Sequence, residues 1–199
     1  MAQIIDGKAL AQKIRMNLKE EVKVLKTKGI NPKLAVIMVG NNPASKVYVK
    51  NKSKACEEIG VDYEEFLMNE NTTMEELLDL IDELNNRKDI NGILLQSPIP
   101  SHLDINKAFN KIDYKKDVDG FHPINVGKLS IGQDCFVSCT PFGVTKMLEE
   151  YNIQVQGKKK ENCPCLQWTH SITEPQTSDP IHWSFKQMAP PWSSAKQRP

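Results

Sequence analysis

The chain lacks an excess of either charge: 26 Lys and Arg stand against 25 Asp and Glu in 199 residues. That balance removes the basic footprint that nucleic-acid binding requires. Aromatic residues make up only 7% of the chain, too few for base-stacking platforms. No apolar run is long enough to span a bilayer. The opening Met1-Ala2-Gln3-Ile4-Ile5-Asp6 has neither a basic-then-apolar signal peptide nor an Arg- and Ser-rich transit segment. The five cysteines are odd in number and follow no framework spacing, so they point to free thiols in a reducing compartment. The expectation is a soluble, cytoplasmic protein with no nucleic-acid or membrane partner.

Glycine is also missing from the end of the chain. All ten glycines lie at or before Gly157, whereas Trp168, Trp183 and Trp192 and half of the 12 prolines come later. Two compositions therefore share one chain. The expected division is a folded catalytic domain over 1–157 and a tail over 158–199, read as disordered.

Within the first part, apolar and polar residues alternate in a regular order. Asp6 is placed to cap a helix with apolar residues Leu10, Ile14, Leu18, Val22 and Leu25, stopped near Gly29. The run Leu34–Val39 reads as a buried strand, and Asn41-Asn42-Pro43 as the start of a helix that ends near Gly60. Val61–Leu67 reads as a second strand. Thr72 or Thr73, with Glu75 and Glu76 behind, opens another helix. Asn91-Gly92 leads into the strand Ile93-Leu94-Leu95, which ends at Gln96. Strands and helices alternating in this way imply an α/β fold with a mostly parallel sheet covered by helices. Ser97-Pro98-Ile99-Pro100 then leaves the sheet extended, a short helix follows around Ile105–Phe109, and Cys139-Thr140-Pro141-Phe142-Gly143 opens a last helix.

Ligands of such sheets sit beyond the carboxyl ends of the strands. Tyr48 and Lys52 fall there, four residues apart on one helix face, as does Gln96. The pair reads either as a substrate-holding phenol and ammonium or as part of a solvated, Lys-rich helix face. Asp117 and Asp119, beside Gly120, read either as a simple turn or as a carboxylate offered to a ligand N–H. The oxygen pattern of a calcium loop is missing. His102 and His122 are isolated and read as loop histidines. Cys163-Pro164-Cys165 with His170 and His182 has the wrong spacing for structural zinc, so no metal site is expected. Tyr48-x-x-x-Lys52 alone suggests a short-chain dehydrogenase, but that reading needs a glycine-rich turn before Asn41, and none is present.

Five segments, in order, carry a resemblance. They are Ile5-Asp6-Gly7-Lys8, the V-G-x-x-x-A-S-x-x-Y-V-x-x-K run from Val39 to Lys52, Gly92-Ile93-Leu94-Leu95-Gln96-x-Pro98-Ile99-Pro100, the run from Lys116-Asp117-Val118-Asp119-Gly120-Phe121-His122-Pro123 through Asn125 to Gly127, and Cys139-Thr140-Pro141-x-Gly143. Together residues 1 to about 157 resemble the bifunctional methylenetetrahydrofolate dehydrogenase/methenyltetrahydrofolate cyclohydrolase family of one-carbon metabolism. The resemblance implies NADP-dependent oxidation of 5,10-methylenetetrahydrofolate and hydrolysis of the methenyl product to 10-formyltetrahydrofolate. It implies Lys52 as the principal catalytic residue of the hydrolytic step, Tyr48 beside the pterin, Gln96 bonded to Lys52, Pro98 in the substrate wall and Asp119 receiving the pterin ring. A cationic methenyl centre would favour a neutral lysine beside it, able to exchange protons with water. Tyr114, Ser97 and Ser138 depart from the family's usual residues, all at loop positions.

The resemblance also implies a Rossmann domain that holds NADP and joins two subunits into a homodimer. After Gly157 no glycine remains for a dinucleotide turn. The expectation is that the Rossmann domain is essentially missing, that no NADP site can be written, and that the dimer loses its usual joint. The chain as written is then expected to have no NADP-dependent oxidation and little cyclohydrolase activity, the alternative being a non-catalytic fragment that binds folate or associates with an intact subunit. Lys158-Lys159-Lys160 implies A-rich codons, where a frame slip would account for the change; a read-through intron is the rival cause, and the coding DNA decides between them.

Overall fold

The computed structural model describes residues 4–154. The boundary at Gly157, the disordered tail, the missing Rossmann domain and the rejected zinc set of Cys163, Cys165, His170 and His182 lie outside the described residues.

Three strands, β1 (Lys33–Val39), β2 (Asp62–Met68) and β3 (Gly92–Gln96), form one parallel sheet in the order β2-β1-β3. The helices are α1 (Gly7–Thr27), α2 (Pro43–Ile59), α3 (Met74–Asn86), α4 (Ile105–Lys111), α5 (Pro123–Ser130) and α6 (Cys139–Glu150). β1 is the central strand, and its side chains alternate between two cores. Ala35, Ile37 and Val39 pack with Leu77, Ile81 and Leu84 of α3, with Ile93 and Leu95 of β3, and with Ala108 of α4. Leu34, Val36 and Met38 pack on the other face with Val22 of α1, Val49 and Cys56 of α2, and Leu94 of β3. A strand covered on both faces has no polar side, which is why β1 reads as an unbroken apolar run.

The element boundaries follow local chemistry. The Asp6 carboxylate accepts from Lys8 N and Ala9 N, each at 3.0 Å, and starts α1. Asn42 Oδ1 does the same for Ala44 N and Ser45 N, with Pro43 in the first turn. Thr73, rather than Thr72, caps α3 through a reciprocal box with Glu76. Gly60 ends α2 at φ +81°, a left-handed turn that costs glycine little.

The structure departs from the sequence reading in four places. Ile14 of α1 is exposed rather than part of the buried stripe. The chain leaves β3 through a cis Ser97–Pro98 peptide, not a plain extended run. α4 continues to Lys111, and α5 is an additional helix. The signal for α5 was Pro123 in a first turn behind His122, whose ring nitrogen accepts from Ile124 N at 3.1 Å. His122 is therefore a helix cap rather than an idle loop residue. Among the described residues no helix is long and apolar enough to cross a membrane.

Candidate functional site

The two-core sheet decides where Gln96 points. Leu94 faces the core under α1 and α2, so Gln96, two residues on, keeps that parity at the carboxyl end of β3. On α2 the inward positions are Ser45, Val49 and Cys56, and Lys52 falls in their stripe at helical spacing. The two side chains therefore converge. Lys52 Nζ donates to Gln96 Oε1 at 3.0 Å, while Gln96 Nε2 donates to Ser97 O at 2.6 Å. The second bond fixes which end of the amide faces the lysine. Lys52 is half-buried, so the solvated-face reading does not hold for it. Ser45 Oγ, two turns earlier on the stripe, is buried with no hydrogen-bond partner among the described residues.

Tyr48 stands on the flank of that stripe and is 62% exposed, an open aromatic face at the rim rather than a packed core ring. Lys52 bonds to Gln96, not to the Tyr48 phenol. Pro98 is exposed, directly after the cis peptide. Tyr48, Lys52, Gln96 and Pro98 thus share the carboxyl edge of β1 and β3.

Asp119 comes to the same place from a different element. Its carboxyl group is pushed above the ordinary range, by burial first; the Lys52 charge works in the opposite sense and Asp117 adds to the rise. The opposing effect of Lys52 places the ammonium and this carboxyl group within electrostatic reach. The Cys139 thiol, at the head of α6, donates to Val118 O at 3.9 Å. It too is pushed up, by desolvation and then by Asp119.

The loop that carries Asp119 is tied down on every side. Ile93 N donates to Lys116 O at 2.7 Å, a one-residue parallel bridge to β3. Lys116 Nζ donates to Leu84 O, Asn85 O and Arg87 O at 3.1, 2.7 and 2.7 Å. These are carbonyls at the end of α3, where a cation is favoured and the helix itself offers no donor. Desolvation lowers the pKa of this lysine. Asp117 is the turn's internal acceptor, taking bonds from His122 N and Asn125 Nδ2, whereas Asp119 lies within electrostatic reach of Lys52. The resemblance included Lys116 and Asn125 but gave neither a role, and the packing of Val118 on Gly92 was not foreseen, because each depends on partners in other elements.

A concavity of about 470 Å3 lies at the opposite edge of the sheet and includes Pro32, Asn85, Arg87, Lys88, Asn91 and Lys115 in its wall. Arg87 is already committed to Glu64, in two bonds of 2.8 Å, and to Asp89. The acid, amide and lysine that can do chemistry converge at the carboxyl edge instead, and we place the site there. Among the described residues no group of three His, Cys, Asp or Glu could hold a metal ion.

Comparison with known proteins finds one family model and many similar proteins. Residues 5–119 match the family described as tetrahydrofolate dehydrogenase/cyclohydrolase, catalytic domain. A bifunctional protein FolD of Acetivibrio thermocellus is 52% identical over 158 residues, covering 79% of this chain and 55% of that protein. One from Methanosarcina mazei is 52% identical with the same coverage. The crystal structure of a bifunctional FolD methylenetetrahydrofolate dehydrogenase/cyclohydrolase from Campylobacter jejuni is 51% identical, with a TM-score of 0.77 over 78% of this chain and 56% of that one. A Trypanosoma brucei methylenetetrahydrofolate dehydrogenase-cyclohydrolase, complexed with NADP cofactor and inhibitor, is 35% identical, with a TM-score of 0.76 over 79% of this chain and 54% of that one. The chain spans about half the length of the curated relatives it matches.

Proposed function

The chain belongs to the tetrahydrofolate dehydrogenase/cyclohydrolase family, and from that premise we propose that its carboxyl-edge site is the folate side of a methylenetetrahydrofolate dehydrogenase/methenyltetrahydrofolate cyclohydrolase. The contact between Lys52 and Gln96 at 3.0 Å carries the reading. In the hydrolytic step water adds to the methenyl carbon of 5,10-methenyltetrahydrofolate, the bond from that carbon to N5 breaks, and 10-formyltetrahydrofolate remains. Lys52 exchanges the proton of that water. Gln96 holds the amine by accepting one of its hydrogens and adds no charge of its own. Asp119 accepts the N–H donors of the pterin edge, Tyr48 lends an aromatic face beside the ring, and Pro98 forms part of the wall.

NADP does not fit the described residues. A pyrophosphate needs free N–H groups at a helix start behind a glycine-rich turn. The starts of α2, α3 and α4 are filled by Asn42, Thr73 and Asp104, which accept those N–H groups themselves, and α6, whose start has no side-chain cap, has no glycine-rich turn before it. The reading therefore rests on folate chemistry alone. We place residues 1–157 in one catalytic domain and the protein in the cytoplasm, acting on a small folate rather than on nucleic acid; a homodimer follows from the family resemblance and would be seen in its solution mass.

Calorimetric titration of tetrahydrofolate into the 199-residue chain tests the reading. Saturable one-to-one binding is expected, weakened at least about tenfold, or about 1.4 kcal/mol, by Asp119→Ala. A chain that binds no reduced folate, or binds it equally well without Asp119, contradicts it.

A further inference from the structure

Asp117 and Asn125 are 2% and 1% exposed, the most deeply buried acid and amide of the described residues. Neither belongs to the reacting set, and Asp117 has no ion pair among the described residues. A buried carboxylate costs desolvation, and an apolar pair of similar volume would fill the space without it. The hydrogen bonds show what the pair does instead. One Asp117 carboxylate oxygen accepts from Asn125 Nδ2 at 2.9 Å and from His122 N at 2.8 Å. The same Asn125 amide donates to Tyr114 O at 2.8 Å. The carboxylate therefore rests at the N-terminal end of α5, where negative charge is favoured, while its backbone is bridged to Ile93 of β3. One residue joins the sheet to α5, and Asp119 follows two residues later.

The remaining freedom of the loop is removed by close packing. A Cβ on Gly92 would meet Val118 Cγ1 at 2.5 Å, so Val118 sits directly on the strand. A Cβ on Gly120 would meet Phe136 O and Ser138 N at 2.9 Å, so the segment before α6 crosses the turn at contact distance. Asp119 is thus flanked by two residues pressed against neighbouring backbone or strand, and the Asp117–Asn125 bond sets the direction in which the loop approaches.

We propose that Asp117 and Asn125 are positioning residues whose buried hydrogen bond holds Asp119 opposite Lys52, so that the acid meets the pterin edge without reorganisation. The assignment rests on the folate reading of the same site. Neither residue touches substrate; both act through the loop, and preorganisation is what they supply. Asn125 is well suited to this because one amide closes two bonds, to Tyr114 O and to Asp117, on either side of the bridge to β3.

The test uses the full chain and two independent readouts. The first is the titration of the Asp119 side-chain carbon followed by NMR, with the signal identified by its loss in Asp119→Asn. The charged or titratable groups facing Asp119 are Lys52 from α2, Cys139 from α6 and Asp117 on its own loop. Asn125→Ala changes none of these charges. It should release Asp119 toward water and move its midpoint down toward the ordinary carboxylate value. The second readout is tetrahydrofolate affinity, which should fall about tenfold, the size expected for loss of one hydrogen bond to a charged group. Leu129→Ala, which removes a buried side chain of α5 but keeps both members of the pair, should lower the melting temperature and leave both readouts in place. If Asn125→Ala does not fold, Asn125→Asp carries the test, because it faces two carboxylates. Adding Asp117→Asn to it restores the bond between the two side chains, though not the bond to Tyr114 O, and should recover part of the tetrahydrofolate affinity. An Asp119 midpoint unchanged in Asn125→Ala, or shifted equally by Leu129→Ala, overturns the positioning role. Absence of tetrahydrofolate binding in the unaltered chain would count against the folate reading, while the midpoint comparison still judges the positioning.

Discussion

Replacing Gly120 by alanine isolates the steric grip on the site loop. Gly120 has φ +68°, and a Cβ there would meet Phe136 O at 2.9 Å, Ser138 N at 2.9 Å and Val137 C at 3.0 Å. All three are backbone atoms, so no side-chain rotation relieves the contact. Gly132 has nearly the same backbone, φ +70°, with nothing within 4 Å of its Cβ position. Gly132→Ala therefore carries only the left-handed penalty of about 1 kcal/mol. Gly120→Ala carries that penalty plus overpacking, for about 2–5 kcal/mol in total. Urea unfolding followed by circular dichroism separates the two. With a slope of about 2 kcal/mol per molar, Gly132→Ala should lower the midpoint by about 0.5 M and Gly120→Ala by about 1–2.5 M. Asp119 sits beside Gly120, so tetrahydrofolate binding should weaken only in the Gly120 variant. Equal losses of stability in the two variants would refute the claim that residues 136–138 press on this turn.

Three further outcomes follow from the same chemistry. Lys116→Met strips the charged donor from three carbonyls at the end of α3 and should cost about 3 kcal/mol in urea unfolding; a loss below about 1 kcal/mol would show that water replaces the lysine. Burial pushes the Cys56 thiol from 9.0 up to about 11. The folded chain thus holds this proton more tightly than the unfolded one, and its stabilising contribution, about 3 kcal/mol, is full below pH 9 and is lost as pH rises through about 11. A Cys56→Ala variant should lack that part of the alkaline fall in melting temperature, and an identical profile would contradict the assignment. Burial likewise raises the Asp119 carboxyl above its ordinary 3.8. Its ionisation destabilises the fold as pH climbs through the raised value, so Asp119→Asn should melt higher than the parent at pH 7, with the gap closing in acid, while binding tetrahydrofolate less well.

Much of this architecture could be read from residues because the governing interactions are local. The start of α2 lies in Asn42-Pro43 and its end in Gly60; β1 is apolar throughout because helices cover both of its faces. The position of Lys52 was legible in principle, since Ser45, Val49 and Cys56 mark the buried stripe on which it falls. Periodicity alone did not separate that stripe from the Lys-rich outer face, and the family resemblance was needed to single out Lys52. Lys116 and Asn125 were less accessible. Their bonds reach back to Leu84, Asn85, Arg87 and Tyr114, and a polar residue whose partners lie far along the chain leaves no periodic trace. α5 was missed for a related reason. Eight residues give too few turns for an apolar stripe, and its cap is a histidine rather than one of the usual short polar residues.

The central claim is that reduced folate lies at the carboxyl edge of the sheet, between Tyr48 and Asp119, with its one-carbon centre toward Lys52. A crystal structure of the 199-residue chain with tetrahydrofolate tests this most directly. The account predicts a pterin edge donating to the Asp119 carboxylate, with Lys52 still bonded to Gln96. A folate bound at the opposite edge, against Asn85, Lys88 and Lys115, would contradict it.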